Sequence, residues 1–149
     1  MESIRRHISA GRRLVGRPRW GDGTSRHGYG MAVIRQCGRS CLYCGRDVGA
    51  SYESWLDSSV DRVIPKWAPS YPECTDWIHD LANLVTCCRA CNEFLNQYKV
   101  PATIPHDLCE FFDLRDRVFS EKQEYARKCH ARERKWYENW AETERSPSV

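Results

Sequence analysis

The stretch that decides the reading of this chain runs from Ser58 to Tyr98, with Cys41-Leu42-Tyr43-Cys44 just before it. Inside it stand Val60-Asp61-Arg62-Val63-Ile64-Pro65, then Asn83-Leu84, then Cys88-Arg89-Ala90-Cys91-Asn92. Two Cys-x-x-Cys pairs are the ligand set of a tetrahedral zinc site. Each pair closes a tight turn, so two thiolates reach one ion with little strain, and Gly45 permits the turn after the first pair. The second pair runs on into Asn92-Glu93-Phe94-Leu95-Asn96, which puts Asn92 and Asn96 one helical turn apart on one face. An acidic residue in a β-branched run, a zinc knuckle and a polar helix face together suit a second metal site, for a hard cation.

On these residues the segment 41–98 resembles the HNH, or ββα-metal, nuclease family. That family runs Cys-x-x-Cys, then Asp-His-Ile-Ile-Pro, then Asn-Leu, then Cys-x-x-Cys followed by Asn or His. The resemblance implies an α+β fold: a small zinc-stabilised ββα-metal (HNH/His-Me finger) core with flanking helices, including a long C-terminal helix. It implies a metal-dependent endonuclease that hydrolyses DNA phosphodiester bonds. Zn²⁺ on Cys41, Cys44, Cys88 and Cys91 would be structural, and Mg²⁺ or Mn²⁺ catalytic. Carried over by position, Asp61 and Asn92 would hold the catalytic ion, Asn96 could be a third ligand, and Asn83 would pin the loop that carries the base.

One position departs from the family. Arg62 stands where the family has its general-base histidine, and arginine stays protonated in proteins. Arg62 could clamp a phosphate but not take a proton from water. Several readings stay open. His79, His27 or Tyr29 could be the base; water on the metal could be acidic enough unaided; or the domain could bind DNA without cutting it, as an inactive HNH-fold binding or regulatory module. A deliberate substitution that traps a complex would also read this way.

The totals narrow the class. A chain of 149 residues with 29% charged residues has the length of one domain. No run of about 18 apolar residues exists, which excludes a helical membrane protein. Met1 to Arg19 has arginines but no continuous apolar stretch, so no secretory signal is expected. Nine cysteines without such a signal point to an intracellular zinc protein rather than a disulfide scaffold, and the resemblance implies a cytoplasmic protein of bacterial or phage type. Cys87 is expected as a buried thiol, and Cys37 as a weaker rival to Cys41. Seven arginines fall among residues 1–26 against only Glu2 and Asp22. Such a basic arm suits phosphate contacts, with Arg12, Arg13, Arg17, Arg19 and Arg26 as candidates and DNA as partner.

Three regions follow: a basic Arg/Gly-rich arm over 1–30, an HNH-like zinc-bound domain over 31–100, and a C-terminal helical extension over 101–149. The pattern predicts a short helix over Met31–Gln36, a strand over Ser59–Pro65, an irregular insert over Lys66–Asp80, a strand at Leu84–Thr86 and a helix from Arg89 to about Tyr98. From Asp107, a plausible N-cap, apolar residues recur at gaps of three and four to about Trp140. Such a helix reaches on the order of 50 Å, longer than so small a body can cover. Its end is expected on a homodimer partner, on another protein or on the arm; a zinc-ribbon adaptor working through this helix is the competing class.

Overall fold

The computed structural model describes residues 11–18, 29–66 and 75–145. Helix α1 spans Tyr29–Cys37 and α2 spans Tyr52–Leu56, the latter capped by the Ser51 hydroxyl, which accepts from the Ser54 amide. Strand β1, Ser58–Arg62, pairs antiparallel with β2, Leu84–Cys88, in a register running from Ser58↔Cys88 to Arg62↔Leu84. Between the strands lie α3, Thr75–His79, and a 3₁₀ turn at Leu81–Asn83. Helix α4, Arg89–Leu95, leaves the end of β2 directly, and α5, Leu108–Arg145, closes the described chain. The fold is therefore mixed: a two-stranded sheet among helices, with a long C-terminal helix.

Several bounds differ from the sequence expectation, each for a local reason. β1 ends at Arg62 rather than Pro65, because Asn83 takes the next two amides. The Val63 amide donates to the Asn83 carbonyl at 2.9 Å and the Ile64 amide to Asn83 Oδ1 at 2.9 Å. β2 runs on to Cys88, since Cys87 and Cys88 are buried and behave as small apolar residues. The insert expected to be irregular contains α3, and its residues 67–74 lie outside the described residues. Helix α4 stops at Leu95, where the Asn96 amide is shared among the Asn92, Glu93 and Phe94 carbonyls. Helix α5 begins as expected after Asp107, whose Oδ1 accepts from the Glu110 amide at 2.8 Å; Glu110 reaches back to the His106 amide at 2.8 Å.

The core is one cluster. Val63, Ile64 and Val85 from around the sheet meet Tyr43 and Val48 from the first knuckle, and Phe111, Val118, Phe119 and Ala126 from the first half of α5. The buried face of α5 also carries Arg115 and Lys122, 1% and 3% exposed. Burying a charge demands partners, and Arg115 has them. It donates to the Gly11 carbonyl at 2.8 Å, to the Ala82 carbonyl at 2.9 Å and to Asp116 at 2.6 Å. Its guanidinium also lies 4.6 Å from the Phe112 ring centroid.

The described part of the basic arm is held to the body. Buried Asp80 accepts from the Val15 amide at 3.0 Å and the Gly16 amide at 2.7 Å. The Leu81 amide donates in return to the Gly16 carbonyl at 3.0 Å. Arg12 spans Asp113 at 2.5 Å and Asp116 at 2.8 Å, and Arg17 meets Asp76 at 2.5 Å. None of the described helices is long and apolar enough to cross a membrane.

Candidate metal centre

The first cysteine pair sits in a closed loop. The Cys41 amide donates to the Arg46 carbonyl at 2.8 Å and the Gly45 amide to the Cys41 carbonyl at 2.8 Å. Gly45 has φ +79°, a left-handed turn that a side chain resists. The Leu42 amide, bonded to the Thr86 carbonyl at 3.0 Å, ties this knuckle to β2. The second pair straddles the β2–α4 junction, with Cys88 as N-cap and Cys91 in the first turn.

The fold brings all four sulfurs within 4.8 Å of one another. A zinc–sulfur bond of about 2.3 Å gives a tetrahedral sulfur–sulfur edge of about 3.8 Å. The Cys44 and Cys88 sulfurs stand 3.8 Å apart. The residues fit a structural zinc ion by donor type, number and spacing. Hydrogen bonding from Cys44, Cys88 and Cys91 drives the Cys41 thiol far below its ordinary value. Cys44 is held at about 7, its bond with Cys41 raising it and those with Cys88 and Cys91 lowering it. Cys37 stays out of the cluster; its sulfur lies 3.7 Å from the Leu84 carbonyl. His130, from α5, adds an outer contact: its Nε2 is 3.2 Å from Cys91 Sγ, and Phe94 meets the ring edge-on at 5.1 Å.

Successive strand residues point to opposite sides of a sheet, and this divides the residues expected to form one catalytic centre. Asp61 shares its side with Ser59, Val85 and Cys87. Its Oδ2 accepts from Tyr43 Oη at 2.5 Å and from Lys122 Nζ at 2.7 Å, and the same ammonium reaches the Arg62 carbonyl at 2.9 Å. Burial, and then the Asp61 charge, push the Tyr43 hydroxyl well above its usual value. Burial also pushes the Cys87 thiol up, with the Asp61 charge adding to it. Cys87 Sγ lies 3.9 Å from Asn92 Oδ1, and Cys87 shares its side of the hairpin with Asp61. Asn96 is exposed at the C-cap of α4.

Arg62 falls on the other side, with Val60, Leu84 and Thr86. Its Nε and the Thr86 hydroxyl are buried and make no hydrogen bond among the described residues. His79, at the end of α3, feels the Arg62 charge. Desolvation lowers its imidazole below the ordinary value, and the charges of Arg62, Arg17 and Lys66 lower it further. Asn83 is fully buried in the loop between the two sets. Its Nδ2 donates to the Ile64 carbonyl at 2.8 Å and the Ile78 carbonyl at 3.0 Å, so its side chain staples both ends of the inter-strand segment.

Other candidates fare differently. Arg12 and Arg17 are engaged by carboxylates, while Arg13 is exposed. Arg19, Arg26, His27 and the Tyr29 side chain lie outside the described residues. A recess of about 550 Å³ that sequence reading did not foresee opens beside the first knuckle, lined by Arg46, Arg127, His130 and Arg134 with Tyr43 and Cys44. Lys122 and Arg115 also went unread. The signal was present: both stand at the three-and-four spacing of the apolar stripe of α5, where a charge marks a buried partner.

Comparison of the chain with protein-family models, with curated proteins and with solved structures finds no match.

Proposed function

We propose that this chain is an HNH-like domain that binds DNA and hydrolyses its phosphodiester bonds. The observation that carries this reading is that Asp61 and Cys87 share one side of the hairpin and Asn92 Oδ1 lies 3.9 Å from Cys87 Sγ, on a hairpin and helix that meet at the four-cysteine cluster. One carboxylate and one amide oxygen are the donor types a hard cation takes. Both hydrogen bonds to Asp61 fall on Oδ2, so Oδ1 carries none among the described residues. The residues fit a Mg²⁺ or Mn²⁺ ion by type, and such an ion would supply charge to a phosphate under attack.

The chain's own groups do the rest. Tyr43 and Lys122 fix the rotation of the Asp61 carboxylate. Lys122 also offsets the negative charge of Asp61 that would attract a cation. Asn83 holds the loop that follows β1. Arg62 offers a guanidinium to phosphate and no proton acceptor. His79, whose imidazole is lowered by desolvation and then by the charge of Arg62, is a titratable group that feels this guanidinium. The Arg46, Arg127 and Arg134 recess offers a second grip on the DNA backbone.

One observation favours a second reading. An ammonium already bonded to Asp61, with arginine at the next position, suits a domain that binds DNA and does not cut it. Plasmid nicking with Mg²⁺ or Mn²⁺ separates the two. Metal-dependent nicking by the natural chain, lost in Asp61→Ala and Asn92→Ala, supports the nuclease. DNA binding that weakens with salt, without nicking under either metal, supports the second reading, and nicking gained only in Arg62→His would do so most directly.

A further inference from the structure

The end of α5 runs beyond the body. Residues 131–140 are all exposed, and among them Trp136, Tyr137 and Trp140 are 69%, 61% and 59% exposed. The Tyr137 and Trp140 rings lie 5.9 Å apart and form one patch. At the helical repeat of about 100° per residue, Trp136 and Trp140 share a face with Val118, Lys122, Ala126 and Cys129, the residues by which α5 packs on the core. The stripe that buries the first half of the helix thus continues along its second half with no neighbour among the described residues. Three large exposed aromatics within five residues make an apolar surface of the kind that marks an interaction site.

The charges beside the patch say what covers it. Arg127, Lys128, Arg132, Arg134 and Lys135 come before Trp136, interrupted only by Glu133. Glu138, Glu142 and Glu144 come after it, with no basic residue until Arg145. The extension is therefore positive on one side of its aromatic patch and negative on the other. A second copy of the same helix laid antiparallel, with Trp136 near Trp140 of its mate, sets the basic half of each against the acidic half of the other. A parallel copy would set like charges side by side. The antiparallel pairing is also closed by a single two-fold axis, so it stops at two chains.

We propose that this protein is a homodimer held by antiparallel pairing of residues 132–144 of α5. The test is the mass in solution of the full, zinc-loaded chain, measured by analytical ultracentrifugation at micromolar concentrations. The natural chain sediments as a dimer. Trp136→Ser/Trp140→Ser sediments as a monomer with unchanged zinc content and circular dichroism, because both side chains lie outside the core. Glu142→Lys/Glu144→Lys weakens the dimer by about tenfold or more, because this register sets Arg134 against Glu142 of the mate and Arg132 against Glu144. Adding Arg132→Glu/Arg134→Glu to that variant restores the dimer. A monomeric natural chain, as would follow if another protein or the chain's own first residues covered the stripe, overturns the proposal. So does a dimer indifferent to Trp136→Ser/Trp140→Ser, or a charge swap that fails to restore pairing.

Discussion

Lys122 Nζ lies 2.7 Å from Asp61 Oδ2, an ion pair between the long helix and the first strand in which the lysine is 3% exposed and the aspartate 16%. Removing one partner of a buried pair leaves the other charge uncompensated, which typically costs about 3–5 kcal/mol. Lys122→Met should therefore lower the unfolding free energy by about that amount, although the apolar stem is kept. Lys122→Met/Asp61→Asn should recover a good part of it, because the stranded carboxylate is gone. Urea unfolding of the zinc-loaded proteins measures both. A loss below about 1 kcal/mol in the single variant would mean that the pair behaves as a solvated surface contact. Nuclease assays of Asp61 variants need this stability measurement beside them, since the same carboxylate carries the ion pair.

The four sulfurs make a second expectation. Folding energy in small metal domains comes largely from the metal, and here the cluster joins the first knuckle to the β2–α4 junction. Chelation should abolish cooperative unfolding, and Cys91→Ser should do the same while Cys37→Ser does not. Protons and zinc compete for the same sulfurs, so metal loss increases as pH falls. A chromophoric chelator followed across pH reads this directly. Full cooperativity in the metal-free protein would show that packing alone suffices.

His79 supplies a pH signature independent of any metal. Its imidazole is lowered first by desolvation and then by Arg62, Arg17 and Lys66. In an NMR titration it should protonate below the usual value of about 6.5. Arg62→Gln should move the midpoint up, though not all the way, because desolvation remains. A folded-state value below the unfolded one means that the unfolded chain binds the proton more readily. The His79 contribution to stability is thus intact above the ordinary imidazole value and declines as pH falls through it. A midpoint unmoved by Arg62→Gln would show that the two side chains do not share one electrostatic environment.

Much of the local structure could be read from residue types. The cysteine spacing foretold the cluster, Asp107 foretold the start of α5, and the three-and-four spacing foretold its course. What could not be read was which polar groups spend themselves on the fold. The arginines of the arm looked like a phosphate-binding set, yet Arg12 and Arg17 meet Asp113, Asp116 and Asp76, which are remote in sequence. Such pairings depend on tertiary placement, and periodicity carries no trace of them. The same holds for Asp61 and Arg62. As neighbours in sequence they suggested one centre, but the pleat of β1 sends them to different sides, and only the strand register shows which residues each one joins.

The resemblance implies that Asn83 pins a loop carrying the base; what the structure shows is that its amide side chain satisfies backbone groups of both Ile64 and Ile78. Lys122 had no such reading because an isolated lysine in a mixed-charge helix looks solvated. Its place on the buried line between Val118 and Ala126 was the available clue.

The contribution of α5 to the core has an evolutionary corollary. Phe111, Phe119 and Ala126 close the space over the hairpin, and Lys122 answers its carboxylate, so the short signature over 41–98 is not a portable cassette. Transplanted alone into another protein, it would arrive with an open apolar side and a stranded anion. Recombination could move this unit between genomes only together with at least the first five or so turns of the helix that follows it.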